Sequence, residues 1–228
     1  MRYIFMDNYR GFSREIVPLF PTTFLVGENS TGKSSFLALL SLLSSPQFWF
    51  NMDFNSIQSI NLGGYKDIVS VSSRNKSAFS VGLLYVNDDN IRFNFVILTF
   101  INEEGVPKLK KYLHFMKNKL VKIRVFPNSI KRKSITYDIN SFNFDNIPDI
   151  ISFMMHIYDS DHSDNKGFKR YSNIPSNIPL AYLIPLVDES PSIDDKRELS
   201  SPRHILSGIP ANANFSWMAP IRTKPERI

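Results

Sequence analysis

Residues 27–34, Gly-Glu-Asn-Ser-Thr-Gly-Lys-Ser, carry the residue types and spacing that phosphate chemistry needs. Two glycines with four residues between them let the backbone turn without a Cβ clash, so that successive N–H groups converge on one point. An ammonium group at Lys33 would reach the β- and γ-phosphates of a nucleotide, and the Ser34 hydroxyl would ligate Mg²⁺. Gly27, Glu28, Asn29, Ser30, Thr31, Gly32, Lys33, Ser34 and Ser35 are therefore the candidate cofactor-binding residues, with Ser34 the metal ligand and Lys33 the catalytic candidate.

Such a loop works only between a strand and a helix. The apolar run "TTFLV", residues 22–26, supplies the expected strand. The helix is expected over Ser34 to Ser44. There Phe36, Leu37, Leu39, Leu40, Leu42 and Leu43 leave almost no polar face, which predicts burial. Ser44, Ser45 and Pro46 read as its stop. Nucleotide choice follows from an omission. The Asn-Lys pairs at 75, 118 and 165 lack the Asp two residues later that guanine recognition uses, so ATP with Mg²⁺ is the expected cofactor.

Upstream, residues 2–9 alternate as a strand and "FSREIVPLF" reads as a second after a turn at Arg10-Gly11. Downstream, "SAFSVGLLYVN" and "NIRFNFVILTF" flank Asp88-Asp89 as a hairpin. "LVKIRVF" and "SITYDIN" read as another, with "PNSIKRK" at its tip. Residues 143–158 read as a helix, and 159–214 as loops with short elements. This divides the chain into a nucleotide-binding core (1–75), an antiparallel β subdomain (76–142) and a helix- and loop-rich segment (143–228).

The net charge of +6 is concentrated. Ten Lys and Arg residues, and no Asp or Glu, fall between Gly105 and Tyr137. A one-signed block attracts polyanions, nucleic acid above all; the alternatives are a solvated face or a surface that meets an acidic partner protein. Lys122, Arg124, Lys131, Arg132 and Lys133 on the basic hairpin are the nucleic-acid candidates. Asp159, Asp161, His162 and Asp164 crowd together without EF-hand spacing and read as a solvated acidic loop. Phe48, Trp49 and Phe50, just after a buried helix, read as core. The absence of cysteine excludes disulfides, zinc thiolates and cysteine nucleophiles. No apolar run approaches the roughly 20 residues of a membrane span, so a cytoplasmic chain without membrane contact is expected.

"MDNYRGFSREIVPL" followed by "TTFLVGENSTGKSSFLALL" resembles the N-terminal lobe of AAA-type ATPases of the ABC, SMC and RecF kind. Asn8, Tyr9, Arg10 and Phe12 match the first family element; Asn29, Gly32, Lys33, Ser34 and Ser35 match the second. Ser30 stands where the family often has glycine. "LGGYKDIVS" and "MAPIRTKPER" are similar to segments of bacterial anti-phage ATPases, among them overcoming-lysogenization-defect nucleases and PtuA ATPases of Septu and Septu-like retron systems.

The resemblance implies an α/β fold, a P-loop NTPase in the form of an ABC-type N-terminal lobe with a mixed sheet plus antiparallel β-hairpins. It places Arg10, Gly11 and Phe12 near the nucleotide. It also implies an ATP-driven homodimer or higher oligomer, and as partners an HNH-type nuclease effector and a reverse transcriptase with its DNA or RNA. Closure over ATP would be coupled to nucleic-acid sensing or to control of the nuclease. The alternative is a non-hydrolysing, ATP-bound scaffold or clamp for such a partner.

The family's signature Ser-Gly and Walker B acids are expected on a C-terminal lobe outside this sequence. Asp188-Glu189 follows a run broken by Pro185, and Leu206-Ser207-Gly208 stands on the wrong side of it, so both read as decoys. Nucleotide binding with little turnover by this chain alone is the expectation.

Overall fold

The computed structural model describes residues 1–28, 31–52, 54, 62–70, 77–87, 92–138, 142, 144, 146–161 and 166–172. Its elements are β1 (Arg2–Asp7), β2 (Glu15–Leu19), α1 (Lys33–Ser44), α2 (Pro46–Asn51), α3 (Tyr65–Ile68), β3 (Ala78–Asn87), β4 (Arg92–Glu103), β5 (Val106–Met116), β6 (Lys119–Phe126), β7 (Ser129–Thr136), α4 (Ile147–Ser160) and β8 (Lys169–Ser172).

One sheet of eight strands, in the order β2-β1-β3-β4-β5-β6-β7-β8, organises these residues. β1 has neighbours on both sides, so its faces can both be buried, and it alternates accordingly. Ile4 and Met6 join a core beneath α1, α2 and α3, while Tyr3 and Phe5 join a second core beneath α4. β3 divides in the same way, with Phe79, Val81 and Leu83 toward α1, and Leu84 and Val86 toward α4. The sheet is continuous across residue 75, because β1 pairs with β3. The division expected there is not a break between sheets.

Every strand pairing among the described residues is antiparallel. The expected mixed sheet is corrected in that respect, and the reason lies at "TTFLV". These residues form no strand, and Phe24 and Val26 stand 83% and 91% exposed. β propensity alone does not make a strand without a neighbour to pair with.

Three further corrections are local. Pro46 opens α2 at its first turn, where a missing N–H costs nothing, instead of merely closing α1. The β6–β7 turn is two residues, Pro127-Asn128, and the basic stretch assigned to its tip lies within β7. β5 and β8 were not expected. Proline occupies β2 at Pro18, on the sheet edge, where its absent N–H breaks no ladder. Gly82 is required by close approach. A Cβ there would lie 2.5 Å from the Val96 carbonyl of the neighbouring strand. The aromatic reading holds for Phe48 and Trp49, which are buried; Trp49 Nε1 donates to the Leu43 carbonyl at 2.6 Å.

His114, on β5, is buried beside Tyr112 on the α1 side, and burial lowers its pKa from 6.5 to about 4. The unfolded chain therefore takes up this proton at a higher pH than the folded one. Stability is whole above about pH 6.5 and declines as pH falls toward 4, at about 1.4 kcal/mol per unit and about 3 kcal/mol in all. Urea midpoints measured between pH 7.5 and 5 should fall for the wild type and flatten for His114→Leu. Among the described residues no helix is long and apolar enough to cross a membrane.

Candidate nucleotide-binding site

The cradle is built by backbone. Gly32 adopts a left-handed φ of +89° immediately before α1, a conformation that side chains other than glycine's rarely tolerate. A Cβ at Gly32 would also meet the Phe12 ring at 3.0 Å. Gly27 carries a φ of +155° at the other end. Between them the chain folds back far enough for Lys33 Nζ to donate to the Gly27 carbonyl at 2.8 Å, to the Glu28 carbonyl, and to Thr31 Oγ1 at 3.2 Å. Thr31 Oγ1 donates in turn to the Glu28 carbonyl at 2.9 Å. The lysine is held on the loop, not pointed into bulk water. Asn29 and Ser30, at its crest, lie outside the described residues.

The N-terminus of α1 is open. No side chain caps it, and no acid stands in its first turn. The first α-helical hydrogen bond is Phe36 N–H to the Gly32 carbonyl at 2.9 Å, which leaves the N–H groups of Lys33, Ser34 and Ser35 without a helical acceptor. Those orphan donors, the positive end of the helix and a nearby ammonium form a fit for polyphosphate. Ser34 is exposed at the same end, free to meet a cation held by the phosphates. Ser35 faces inward.

Behind the loop, the segment 8–12 braces α1. Arg10 Nη1 donates to Ser35 Oγ at 3.1 Å and Nη2 to the Leu62 carbonyl at 3.0 Å. Tyr9 Oη donates to the Ser35 carbonyl at 3.1 Å, and burial raises its pKa to about 12, so it stays a donor. Phe12 packs between Tyr9 and Phe36 under Gly32. Gly11 is exposed, with no atom within 4 Å of the place its Cβ would take. "LGGYKDIVS" completes the brace: Arg10 N–H donates to the Ile68 carbonyl at 2.7 Å, and Ser70 N–H to the Asn8 carbonyl at 2.9 Å. Arg10 and Phe12 thus support the cradle from the protein side.

The basic hairpin is more divided than its sequence. Lys122, Arg124, Lys131 and Lys133 share the α4 face, while Arg132 points to the other. Lys122 and Arg132 are each only 3% exposed. Asp161, just past α4 and 2% exposed, is the hub, with carboxylate oxygens 2.9 Å from Lys111 Nζ, 3.5 Å from Lys122 Nζ and 3.8 Å from Arg124 Nη2. Arg124 Nη2 also donates to its carbonyl at 3.0 Å. The solvated-loop reading is therefore corrected for Asp161. Asp159 does lie at the surface, where it accepts both its hydrogen bonds from Arg14, at 3.0 and 2.8 Å. His162 and Asp164 lie outside the described residues, as do Asp188-Glu189, Leu206-Ser207-Gly208 and "MAPIRTKPER". Sequence reasoning missed Asp161 because its three cations come from two strands far upstream. The only available signal was a buried-helix pattern ending at an acid.

A glycine-framed loop opening a buried helix, laid against an open sheet, fits the P-loop nucleoside-triphosphatase class. The chain belongs to the AAA ATPase domain family, whose model matches residues 1–182. None of the curated proteins and none of the solved structures matches it. Membership implies use of ATP, usually with Mg²⁺. Gly27 to Ser35 would hold the polyphosphate, and Ser34 the cation that neutralises its charge.

Proposed function

We propose that this chain is the ATP-binding lobe of an ABC/SMC-like ATPase in a bacterial anti-phage defence complex. It couples nucleotide binding and closure of a homodimer or higher oligomer to nucleic-acid sensing or to control of a nuclease effector. An HNH-type nuclease, and a reverse transcriptase with its nucleic acid, are the partners this reading calls for. The observation that carries it is the cradle itself: Lys33 gathered onto the Gly27 and Glu28 carbonyls beside the uncapped start of α1. The defence assignment rests on the resemblance of "LGGYKDIVS" and "MAPIRTKPER" to segments of anti-phage ATPases; the first of these meets residues 8–10 behind the cradle.

Calorimetric titration with Mg-ATP tests it. Saturable binding that weakens when Mg²⁺ is chelated, with little turnover by this chain alone, is expected. A titration with no heat overturns it. The second reading is an ATP-bound scaffold that never hydrolyses. Turnover that stays absent once the full assembly is reconstituted would select it.

A further inference from the structure

The α4 face of β5, β6, β7 and β8 carries more cations than Asp161 neutralises. Lys110 sits on a bulge, the extra residue between the pairs Thr99↔Lys111 and Phe100↔Leu109. Its Nζ lies 4.4 Å from the centre of the Phe126 ring. Lys131 Nζ approaches the same ring at 5.5 Å. Arg170, opposite Lys131 in the register, donates from Nη2 to Ser129 Oγ at 3.5 Å. None of these three cations has a carboxylate within 4 Å among the described residues. Lys131 and Arg170 are exposed, and Phe126 is partly so. Together with Pro127 and Asn128 they line a depression of about 410 Å³ at the β6–β7 turn. That is room for a nucleotide base.

We propose that this depression is a binding site for single-stranded nucleic acid, with a base stacked at Phe126 and the phosphates running past Lys110, Lys131 and Arg170. It deepens the nucleic-acid half of the function proposed above. Three features decide the ligand class. The cations come from three strands, β5, β7 and β8, which suits a chain of phosphates better than one anion. An aromatic ring among them rewards a base, and each stacked base typically strengthens binding by about tenfold or more. A depression one ring wide at a tight turn admits an unpaired base, whereas a duplex keeps its bases inside. The buried cluster around Asp161 has a different part: it fixes the strands that display these side chains.

The test is fluorescence anisotropy with a labelled oligo(dT) of roughly 20 nucleotides, titrated over a range of salt. Saturable binding is expected, with log K falling against log salt at a slope of about −2, from three phosphates at about −0.7 each. Lys131→Gln and Arg170→Gln should each weaken binding and flatten the slope by about 0.7. Phe126→Leu should weaken it about tenfold and leave the slope as it was. Lys66→Gln, the same charge change on an exposed residue of α3, should alter neither.

The site is overturned if the oligonucleotide does not bind. It is overturned equally if Lys66→Gln weakens binding as much as Lys131→Gln, or if polyglutamate displaces the strand while Phe126→Leu has no effect. That last result would reassign the face to an acidic protein. Mg-ATP titration of Lys131→Gln and Phe126→Leu is the companion measurement. Intact ATP binding with lost strand binding separates this face from the cradle, and the cradle's failure would leave strand binding measurable on its own.

Discussion

Replacing Asp161 by alanine is expected to cost about 3–5 kcal/mol of folding stability, read as a large fall in the urea midpoint at pH 7. Its carboxylate pairs with Lys111, Lys122 and Arg124, and Lys122 is as buried as the aspartate itself. Removing one partner of a buried ion pair leaves charge in a region that water does not reach, and that outweighs the modest net value of the pair itself. Lys122→Met added to Asp161→Ala should restore about 1 kcal/mol or more, because it removes the most deeply buried of the stranded charges. A single variant that loses less than about 1 kcal/mol would show the cluster to be screened by solvent. An unrecovered double variant would point to Lys111 or Arg124 as the cation that depends most on the carboxylate.

Lys33→Ala should weaken Mg-ATP binding about 10- to 100-fold in calorimetry, with circular dichroism unchanged. A hydrogen bond between charged groups is worth about 1.5–3 kcal/mol, and each 1.4 kcal/mol is a factor of ten. The fold should not suffer, since in this state the ammonium meets only loop carbonyls and a threonine hydroxyl at the surface. Unchanged affinity in the variant would mean that the ammonium stays on Gly27 and Glu28 when phosphate arrives, and the catalytic role given to Lys33 would fall with it.

The parts of this molecule that sequence made legible are those decided within a few residues. The cradle depends on glycine spacing and on a helix that starts at once, and both are local. The β3–β4 pair showed itself because apolar residues alternate on either side of a polar turn. β5 did not, because its first half, Lys108 to Lys111, is cationic and its bulge breaks the alternation. Asp161 was illegible for a different reason. Its meaning comes from a register that sets Lys111 opposite Arg124, with Lys122 two residues earlier on β6, a relation that a window on the chain cannot contain. "TTFLV" shows the reverse failure: its composition reads as a strand, yet pairing partners, not composition, decide. The cytoplasmic, partner and effector readings came from composition and resemblance, and no element of the fold bears on them.

The position of β1 has a consequence for synthesis. During synthesis β1, apolar on both faces from Tyr3 to Met6, gains β2 within a few residues but must wait for Ala78–Asn87 before its other flank is covered. Until then the nascent polypeptide displays a greasy ribbon with one unsatisfied hydrogen-bonding border, the kind of surface that holdase chaperones grip. Slowing translation just before residue 78 should therefore lengthen that exposure and lower the soluble yield.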